Sequence, residues 1–207
     1  TSTIRVSLPS SLGSQNVLMS PTEPFVVKLG LSGLRSDLER ARLRLGDVSL
    51  VVGDRGVPLG AEGDPPFDAE TLLRVVQGRL DDDEVDMRLV SVEGTIPPLV
   101  VEPIDERTLV IGTNLVPMTR EAPAGALLVV RAPGIDPPSV VIRGPRSSFA
   151  GNVTFRAEAR IDRGLFLSRE PGREYSDRVP IQILSDLPPA LAARIGRAPE
   201  NAIVSYR

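Results

Sequence analysis

The segment VVIRGPRSSF at residues 140–149 sets the pattern of the chain, because a counterpart of it, FVVKLGLSGLRSDL, occurs at residues 25–38. In both places a run rich in β-branched and aliphatic residues, which favour extended backbone, ends at a glycine that stands two residues ahead of an arginine and a serine. Repetition of a strand followed by the same short motif is typical of a chain built from copies of one module.

Further features follow each copy of the motif in the same order. A Pro-Pro step occurs at residues 97–98 and again at 188–189. Each step is followed by a proline and then by a closing apolar run, at 109–111 in the first half and at 203–206 in the second. The order predicts two modules, residues 1–112 and 113–207, with the run 115–118 opening the second as residues 4–6 open the first.

The residues of the motif are expected to build a turn. Gly33 and Gly144 end a strand, where glycine permits a positive φ at no steric cost. Ser36 and Ser147 are expected to cap the turn through nearby backbone amides.

Three further residues complete this structural turn motif, namely Arg35, Pro145 and Arg146. A binding role for the two arginines is the alternative.

The two modules differ in length, and the excess of the first falls near residues 60–83. Asp68 is a plausible N-cap there, and Leu72, Leu73, Val76 and Leu80 recur at helical spacing. This pattern predicts a short amphipathic helix inserted into a β-module. We expect it to cover an open sheet edge, with a partner-facing role as the alternative.

Composition indicates the fold class. Aromatic residues make up only 3% of the chain, so its core must be built from Val, Leu and Ile, which pack well on a pleated sheet. The 20 prolines and 18 glycines recur between short apolar runs, as expected of frequent turns. The prediction is an all-β to mainly β chain with a short helix insert.

The residues needed for most catalytic chemistry are missing. Histidine and cysteine are absent, which excludes Ser-His-Asp and Cys-His catalysis and the usual zinc ligand sets. The only lysine, Lys28, lies within a predicted strand. We therefore predict that the protein is not an enzyme and uses no cofactor. Hydrolysis by a carboxylate pair, Glu102 with Asp105 or Glu158 with Asp162, is the alternative left open.

Metal and nucleic-acid binding are not expected either. The acidic run at residues 81–86 has Val85 where an EF-hand needs an acid and lacks the required glycine, so it is expected to form a hydrated loop after the helix. The net charge is −3 and the basic residues form no stripe, whereas nucleic acids bind to clustered positive charge.

The phrase PSVVIRGPRS at residues 138–147, together with the later Pro-Pro step, resembles the YbbR-like domain. The first copy departs from that pattern, with Leu34 in place of the proline. The resemblance implies tandem β-rich modules with a fold similar to the ribosomal L25 family. It also implies a position outside the cytoplasm behind one N-terminal transmembrane helix, and regulation of a membrane diadenylate cyclase by contact. It carries over no catalytic residue.

The leading expectation is thus a non-catalytic, extracytoplasmic regulatory module whose partner is a membrane protein, possibly diadenylate cyclase, which makes cyclic di-AMP. Its anchor would be a segment absent from this chain, which starts at Thr1 rather than at Met. An RNA-binding protein by analogy with the L25 family and a cell-envelope scaffold are the alternatives. The sequence does not give the interface, for which an exposed sheet edge and the helical insert are the candidates.

Overall fold

The computed structural model describes residues 1–61, 63–83, 85–117, 125–129 and 131–207. Strands hold 44% of the residues and helices 21%, which confirms the prediction of a mainly β chain. The likeness to the ribosomal L25-like fold stays a prediction. The chain forms two compact units, Thr1–Pro103 and Ile104–Arg207, so the boundary lies ahead of the expected residue 112.

Unit 1 combines strands with two longer helices and one short helix. Its strands are β1 (Ser2–Ser7), β2 (Asn16–Ser20), β3 (Phe25–Gly33), β4 (Asp47–Val51), β5 (Met87–Glu93) and the first residues of β6 (Val100–Gly112). Its helices are α1 (Ser10–Gly13), α2 (Arg35–Leu45) and α3 (Ala69–Asp82).

Four strands of unit 1 form a sheet in the order β4-β1-β3-β5. Strand β1 runs antiparallel to β3, with Ser2 opposite Val27, and parallel to β4, with Ile4 opposite Val48. Ile4, Val27, Val48 and Leu50 are buried almost completely and belong to the core of the unit. The core of this sheet is therefore built from branched aliphatic side chains, as expected from the low aromatic content.

Helix α3 is the predicted insert. The Asp68 carboxylate accepts a hydrogen bond from the Thr71 backbone N–H at 2.9 Å. That bond holds the pKa of Asp68 below its ordinary value, as expected of an N-cap. Leu72, Val76 and Leu80 are buried in the core of unit 1, while Leu73 is half-buried. The helix and its cap are confirmed, and the apolar face is filled by the protein's own sheet.

The polar side chains of α3 reach both edge strands of the sheet. Gln77 Nε2 donates to the Met87 carbonyl at 3.1 Å, and its Oε1 accepts from the Leu89 backbone N–H at 2.7 Å, both on β5. The guanidinium of Arg79 donates to the carbonyl of Ser49 on β4. The insert thus covers backbone groups that an edge strand otherwise exposes, which confirms the edge-covering role.

Unit 2 contains the rest of the strands. They are the remainder of β6, then β7 (Leu115–Pro117), β8 (Leu127–Val129), β9 (Gly134–Asp136), β10 (Ser139–Pro145), β11 (Phe155–Ala159), β12 (Tyr175–Ser185), β13 (Gly196–Ala198) and β14 (Asn201–Tyr206). Its helical segments are the 3₁₀ helix Arg146–Phe149, α4 (Arg163–Leu167) and α5 (Pro189–Ala192).

The main sheet of unit 2 has the order β13-β10-β6-β11-β12-β14-β9, while β7 and β8 form a separate parallel pair. Its core contains Ile181, Val204 and Ala159, all completely buried. Inward-facing residues alternate with exposed ones along β14, as in a strand with one solvated face.

Strand β6 explains why the boundary differs from the expected one. Residues 100–103 pair with β2 in unit 1, whereas Ile104–Val110 pair antiparallel with β10 and Ile111–Gly112 pair parallel with β11. The run 109–111, expected to close the first module, therefore pairs with strands of unit 2. An extended strand can find a different partner for each part of its length, and the apolar pattern alone does not say where the partner changes.

The strand that opens the second module also differs from the expected one. The described part of the run 115–118, Leu115–Pro117, pairs with β8. Met118 lies outside the described residues. In unit 1, β1 pairs with one antiparallel strand, β3, and with one parallel strand, β4. The second part of β6 likewise pairs with one antiparallel strand, β10, and with one parallel strand, β11. Both antiparallel partners, β3 and β10, are followed by a helical segment. The second part of β6 is therefore the counterpart of β1.

Candidate functional site

The repeated motif marks a strand-to-helix junction in both units. Strand β3 ends at Gly33 and α2 begins at Arg35, while β10 ends at Pro145 and the 3₁₀ helix begins at Arg146. The N-cap residue is extended in both, with φ −72° and ψ 143° at Leu34 and φ −56° and ψ 143° at Pro145. A proline can adopt this geometry, so the difference between the copies at this position is structurally neutral.

The glycines of the motif are required for close approach rather than for a positive φ. Neither Gly33 nor Gly144 has a positive φ, which corrects that expectation. A Cβ at Gly33 would lie 2.9 Å from the Asp86 carbonyl oxygen and against the side chain of Met87. At Gly144 it would overlap the side chain of Ile195. The glycines thus allow a neighbouring segment to pack against the end of the strand.

The serines of the motif do not act as expected. The N-cap residues of the two helical segments are Leu34 and Pro145, and neither segment has a side-chain cap. Ser36 and Ser147 are exposed and lie inside the first turn instead. A cap must precede the first helical residue, and both serines come one residue after it.

The arginines of the motif are exposed as well. Arg146 forms an ion pair with Asp105 at 3.3 Å, and Arg35 is solvent-exposed at the start of α2. Arg146 also lines a pocket together with Asp105, Glu106 and Arg107. The structural role of the two arginines, with a binding role as the alternative, therefore stays a prediction.

The candidate catalytic carboxylates have structural partners. Asp162 caps α4 by accepting from the Leu165 backbone N–H at 2.9 Å, and Glu158 pairs with Arg160 at 2.7 Å. Asp105 is bound to Arg146 at 3.3 Å. These contacts give Asp105, Glu158 and Asp162 structural roles.

The acidic run 81–86 is not a loop throughout, which corrects another expectation. Asp81 and Asp82 belong to the last turn of α3, and Asp83 is its C-cap. Asp82 pairs with Arg55 and Asp83 with Arg44 at 3.7 Å. Glu84 lies outside the described residues. In the described part of the chain, no group of three acidic side chains could hold a metal ion.

Unit 2 contains a cleft of about 290 Å³ that the sequence did not suggest, called here the tyrosine cleft. It lies between the α4–β12 connection and the last strand, and is lined by Leu128, Phe166, Leu167, Arg169, Arg173, Tyr175, Tyr206 and Arg207 among others. Tyr175 and Tyr206 are opposite each other on β12 and β14. Pairing of these strands therefore brings together both tyrosines of the chain.

The floor of the tyrosine cleft is a stack of three rings. The centroid of Tyr206 lies 5.6 Å from that of Phe166 and 5.9 Å from that of Tyr175, with interplanar angles of 34° and 32°. The guanidinium carbon of Arg169 lies 4.6 Å from the centroid of Tyr175. These distances are in the range of favourable aromatic and cation–π contacts, which stabilise this arrangement of the rings.

Asp177 fixes the polar side of the tyrosine cleft. Its Oδ1 lies 2.7 Å from Nη2 of Arg169, and its Oδ2 accepts from the Tyr206 hydroxyl at 2.7 Å. Burial, followed by the bond to Asp177, raises the pKa of Tyr206, so its hydroxyl stays protonated at neutral pH. The Tyr206 hydroxyl and the Asp177 carboxylate raise the pKa of Arg169.

Apolar and cationic groups at the rim of the tyrosine cleft face solvent. Leu167 is 68% exposed and Leu128 is 41% exposed. Arg173 pairs with Glu170 at 2.9 Å, and Arg207 Nε donates to the Gly172 carbonyl at 3.0 Å. Tyrosine and arginine are enriched at the binding hot spots of protein interfaces, and this cleft presents both residue types.

The sequence held one signal for this site, which the overall aromatic content concealed. Both tyrosines lie in the second half of the chain, and Arg169 and Arg207 stand close to them in sequence. A local count of tyrosine and arginine would have singled out this region. It could not have shown that β12 and β14 are neighbours, because the strands are separated by α5 and β13.

No protein-family model, curated protein or solved structure matches the chain. The resemblance to the YbbR-like domain therefore stays a prediction. Among the described residues, no helix has the length and apolar character needed to cross a membrane.

Proposed function

We propose that this protein is a non-catalytic regulatory module that binds a partner protein through the tyrosine cleft. The observation that carries the proposal is the rim of the cleft, where Leu167 is 68% exposed beside a stack of three rings. An exposed aliphatic group next to concave aromatic surface is characteristic of an interaction site.

The partner would place an apolar side chain against the rings of Phe166, Tyr175 and Tyr206. Burial of one large aliphatic side chain contributes about 1.5–3 kcal/mol. Arg173 and Arg207 at the rim favour acidic groups on the partner, because three arginines and one glutamate line the cleft. Such rim charges mainly set specificity and association rate, so binding should weaken as salt increases.

The proposed partner is a membrane diadenylate cyclase, on the extracytoplasmic side of the bacterial membrane. This part of the proposal is supported by the sequence resemblance of residues 138–147 to the YbbR-like domain and not by the cleft. It includes membrane anchoring through a segment outside this chain, and regulation of cyclic di-AMP synthesis by direct contact.

The test is reconstitution of the cyclase with this chain, with cyclic di-AMP production and complex formation measured together. The variant Leu167→Asp should weaken binding by at least about tenfold, because it removes apolar contact worth at least about 1.5 kcal/mol. Leu184→Asp is the matched control. Leu184 is 42% exposed on β12 of the same unit and is not among the residues that line the cleft.

Equal binding by the two variants would exclude the tyrosine cleft as the interface. No binding of the wild-type chain to the cyclase, measured at low salt where charge attraction is strongest, would exclude this partner.

A further inference from the structure

Two of the three rings in the tyrosine cleft remain partly open to solvent. Tyr206 contacts both of the others and is buried, whereas Phe166 and Tyr175 are half-buried. All three line the cleft. A side chain that enters the cleft therefore meets aromatic carbon of Phe166 and Tyr175, with the exposed aliphatic side chain of Leu167 beside them.

Hydrogen bonds and a cation–π contact hold one wall of the cleft, residues 169–173, against these rings. The Tyr175 hydroxyl accepts from the Glu170 backbone N–H at 3.0 Å. The guanidinium carbon of Arg169 lies 4.6 Å from the centroid of the Tyr175 ring, and Nη2 of the same side chain donates to Asp177 at 2.7 Å. The cleft is thus already formed in the unbound chain, which reduces the conformational entropy that a partner must offset on binding.

The size of the cleft favours an aromatic side chain over an aliphatic one. Its volume is about 290 Å³, which is more than a single leucine side chain fills. Space left empty costs free energy, because the lining atoms lose their dispersion contacts. The indole of tryptophan is the largest side chain and leaves the smallest void. Its ring can also extend the existing stack, in which neighbouring centroids lie 5.6 and 5.9 Å apart, the spacing of favourable aromatic pairs.

Charge at the rim determines what should stand next to the aromatic residue. Arg173 pairs with Glu170 at 2.9 Å, and the two side chains are 72% and 67% exposed. An ion pair this exposed contributes little stability, so a carboxylate of the partner can replace Glu170 at small cost. Three arginines and one glutamate line the cleft, which makes an acidic neighbour the better complement.

We propose that the tyrosine cleft binds a tryptophan of the partner protein that is flanked by acidic residues, an inference that rests on the binding role proposed above. The indole would pack against Phe166 and Tyr175, and an adjacent carboxylate would pair with Arg173. The partner surface is thereby narrowed from any apolar side chain to an aromatic–acidic motif.

Three hexapeptides with blocked ends serve as probes, and binding to the full chain is measured from its NMR amide shifts. GSDWDG carries the proposed motif, GSDLDG has leucine in place of tryptophan, and GSNWNG lacks both carboxylates. GSDWDG should bind with a dissociation constant of about 1–10 mM, because one side chain supplies most of the contact. The shifted amides should include those of residues 166–175.

The order of the three affinities tests both parts of the motif. GSDWDG should bind about two- to tenfold more tightly than GSDLDG, the gain expected of an added aromatic pair. At low salt it should bind about two- to fivefold more tightly than GSNWNG, the gain expected of an exposed ion pair.

Three results would contradict the proposal. Binding of GSDLDG as tight as that of GSDWDG would overturn the aromatic preference, and equal binding of GSNWNG would overturn the acidic one. Absence of saturable binding of GSDWDG up to about 20 mM, or amide shifts confined to unit 1, would overturn the proposal as a whole.

Two variants locate the acidic contact. Arg173→Ala should abolish the difference between GSDWDG and GSNWNG and preserve the preference for tryptophan over leucine. Arg178→Ala is the matched control and should keep both preferences, because Arg178 is an exposed arginine of β12 that does not line the cleft. A difference that persists in Arg173→Ala would overturn the pairing with Arg173.

Sedimentation of the chain alone tests another occupant, a second copy of this chain. The chain contains no tryptophan, so a second copy does not supply the motif. A concentration-dependent dimer that Leu167→Asp abolishes would show that the cleft joins two copies, which would overturn the proposal.

Failure of the motif and failure of the proposed function give different results. Cyclase binding that depends on Leu167, together with equal binding of GSDLDG and GSDWDG, would overturn only the aromatic motif. Peptide binding in the expected order without any binding of the cyclase would overturn the proposed partner and support the motif.

Discussion

Gln77 offers a direct test of the edge-covering role of the inserted helix. Its amide donates to the Met87 carbonyl at 3.1 Å and accepts from the Leu89 backbone N–H at 2.7 Å. It therefore replaces, for two residues of β5, the neighbouring strand that an edge lacks. Gln77→Ala removes both hydrogen bonds to β5, together with an exposed hydrogen bond to Asp81 within the helix.

The size of the effect follows from the two bonds. Each hydrogen bond contributes about 0.5–1.5 kcal/mol net, so the change should destabilise local pairing of β5 by about 1–3 kcal/mol. The free energy needed to open the β5 edge should fall by the same amount, so that the open state is populated more often. Exchange of the Leu89 amide hydrogen should then accelerate about fivefold to about 150-fold, since about 1.4 kcal/mol corresponds to a factor of ten.

The assay is amide hydrogen exchange of Leu89 by NMR, together with urea unfolding. Arg74→Ala is the matched control, because Arg74 is an exposed residue of the same helix. It should leave the Leu89 amide protected. If the Leu89 amide hydrogen exchanges as slowly in Gln77→Ala as in the wild type, α3 does not protect the edge and the reasoning fails.

Two further predictions concern unit 2. Because burial and the Asp177 bond raise the pKa of Tyr206, its neutral form stabilises the fold below the ordinary tyrosine pKa of about 10, and this contribution is lost as pH rises through the higher folded pKa. In a Tyr175→Phe background, phenolate absorbance should show Tyr206 titrating above about 10, and Asp177→Asn should lower that pKa; titration at the ordinary value would contradict the assigned bond. The Ser148 hydroxyl is completely buried and has no hydrogen-bond partner among the described residues, so Ser148→Ala should raise the stability by about 1 kcal/mol and Tm by about 4–8 °C. Calorimetry with Ser32→Ala as an exposed control checks this, and a lower Tm for Ser148→Ala would show that the hydroxyl has a partner.

Several features of the chain were open to prediction because they depend on neighbours in sequence. The helix after Asp68 carries its cap and its apolar spacing within one segment, so both could be inferred without a fold. Helix α2 was missed although ERARLRL is rich in good helix formers, because the preceding Gly-x-Arg-Ser pattern favoured a turn.

Other features depend on contacts between distant residues and could not be predicted. The need for glycine at 33 arises from Met87 and Asp86, and the need at 144 from Ile195. The tyrosine cleft exists because Tyr175 and Tyr206 face each other across paired strands. A strand pattern shows which residues face one way, but it does not identify the neighbouring strand.

By itself, the sequence determined the β-rich character of the chain, the recurrence of the strand and its junction, and the capped helix of the insert. These properties follow from local backbone preference and side-chain periodicity. Only the tertiary structure decided that β6 pairs in both units and that Tyr175 and Tyr206 meet in one cleft. The reason is physical, because strand pairing is settled by the competition among all available edges, and no single segment contains that information.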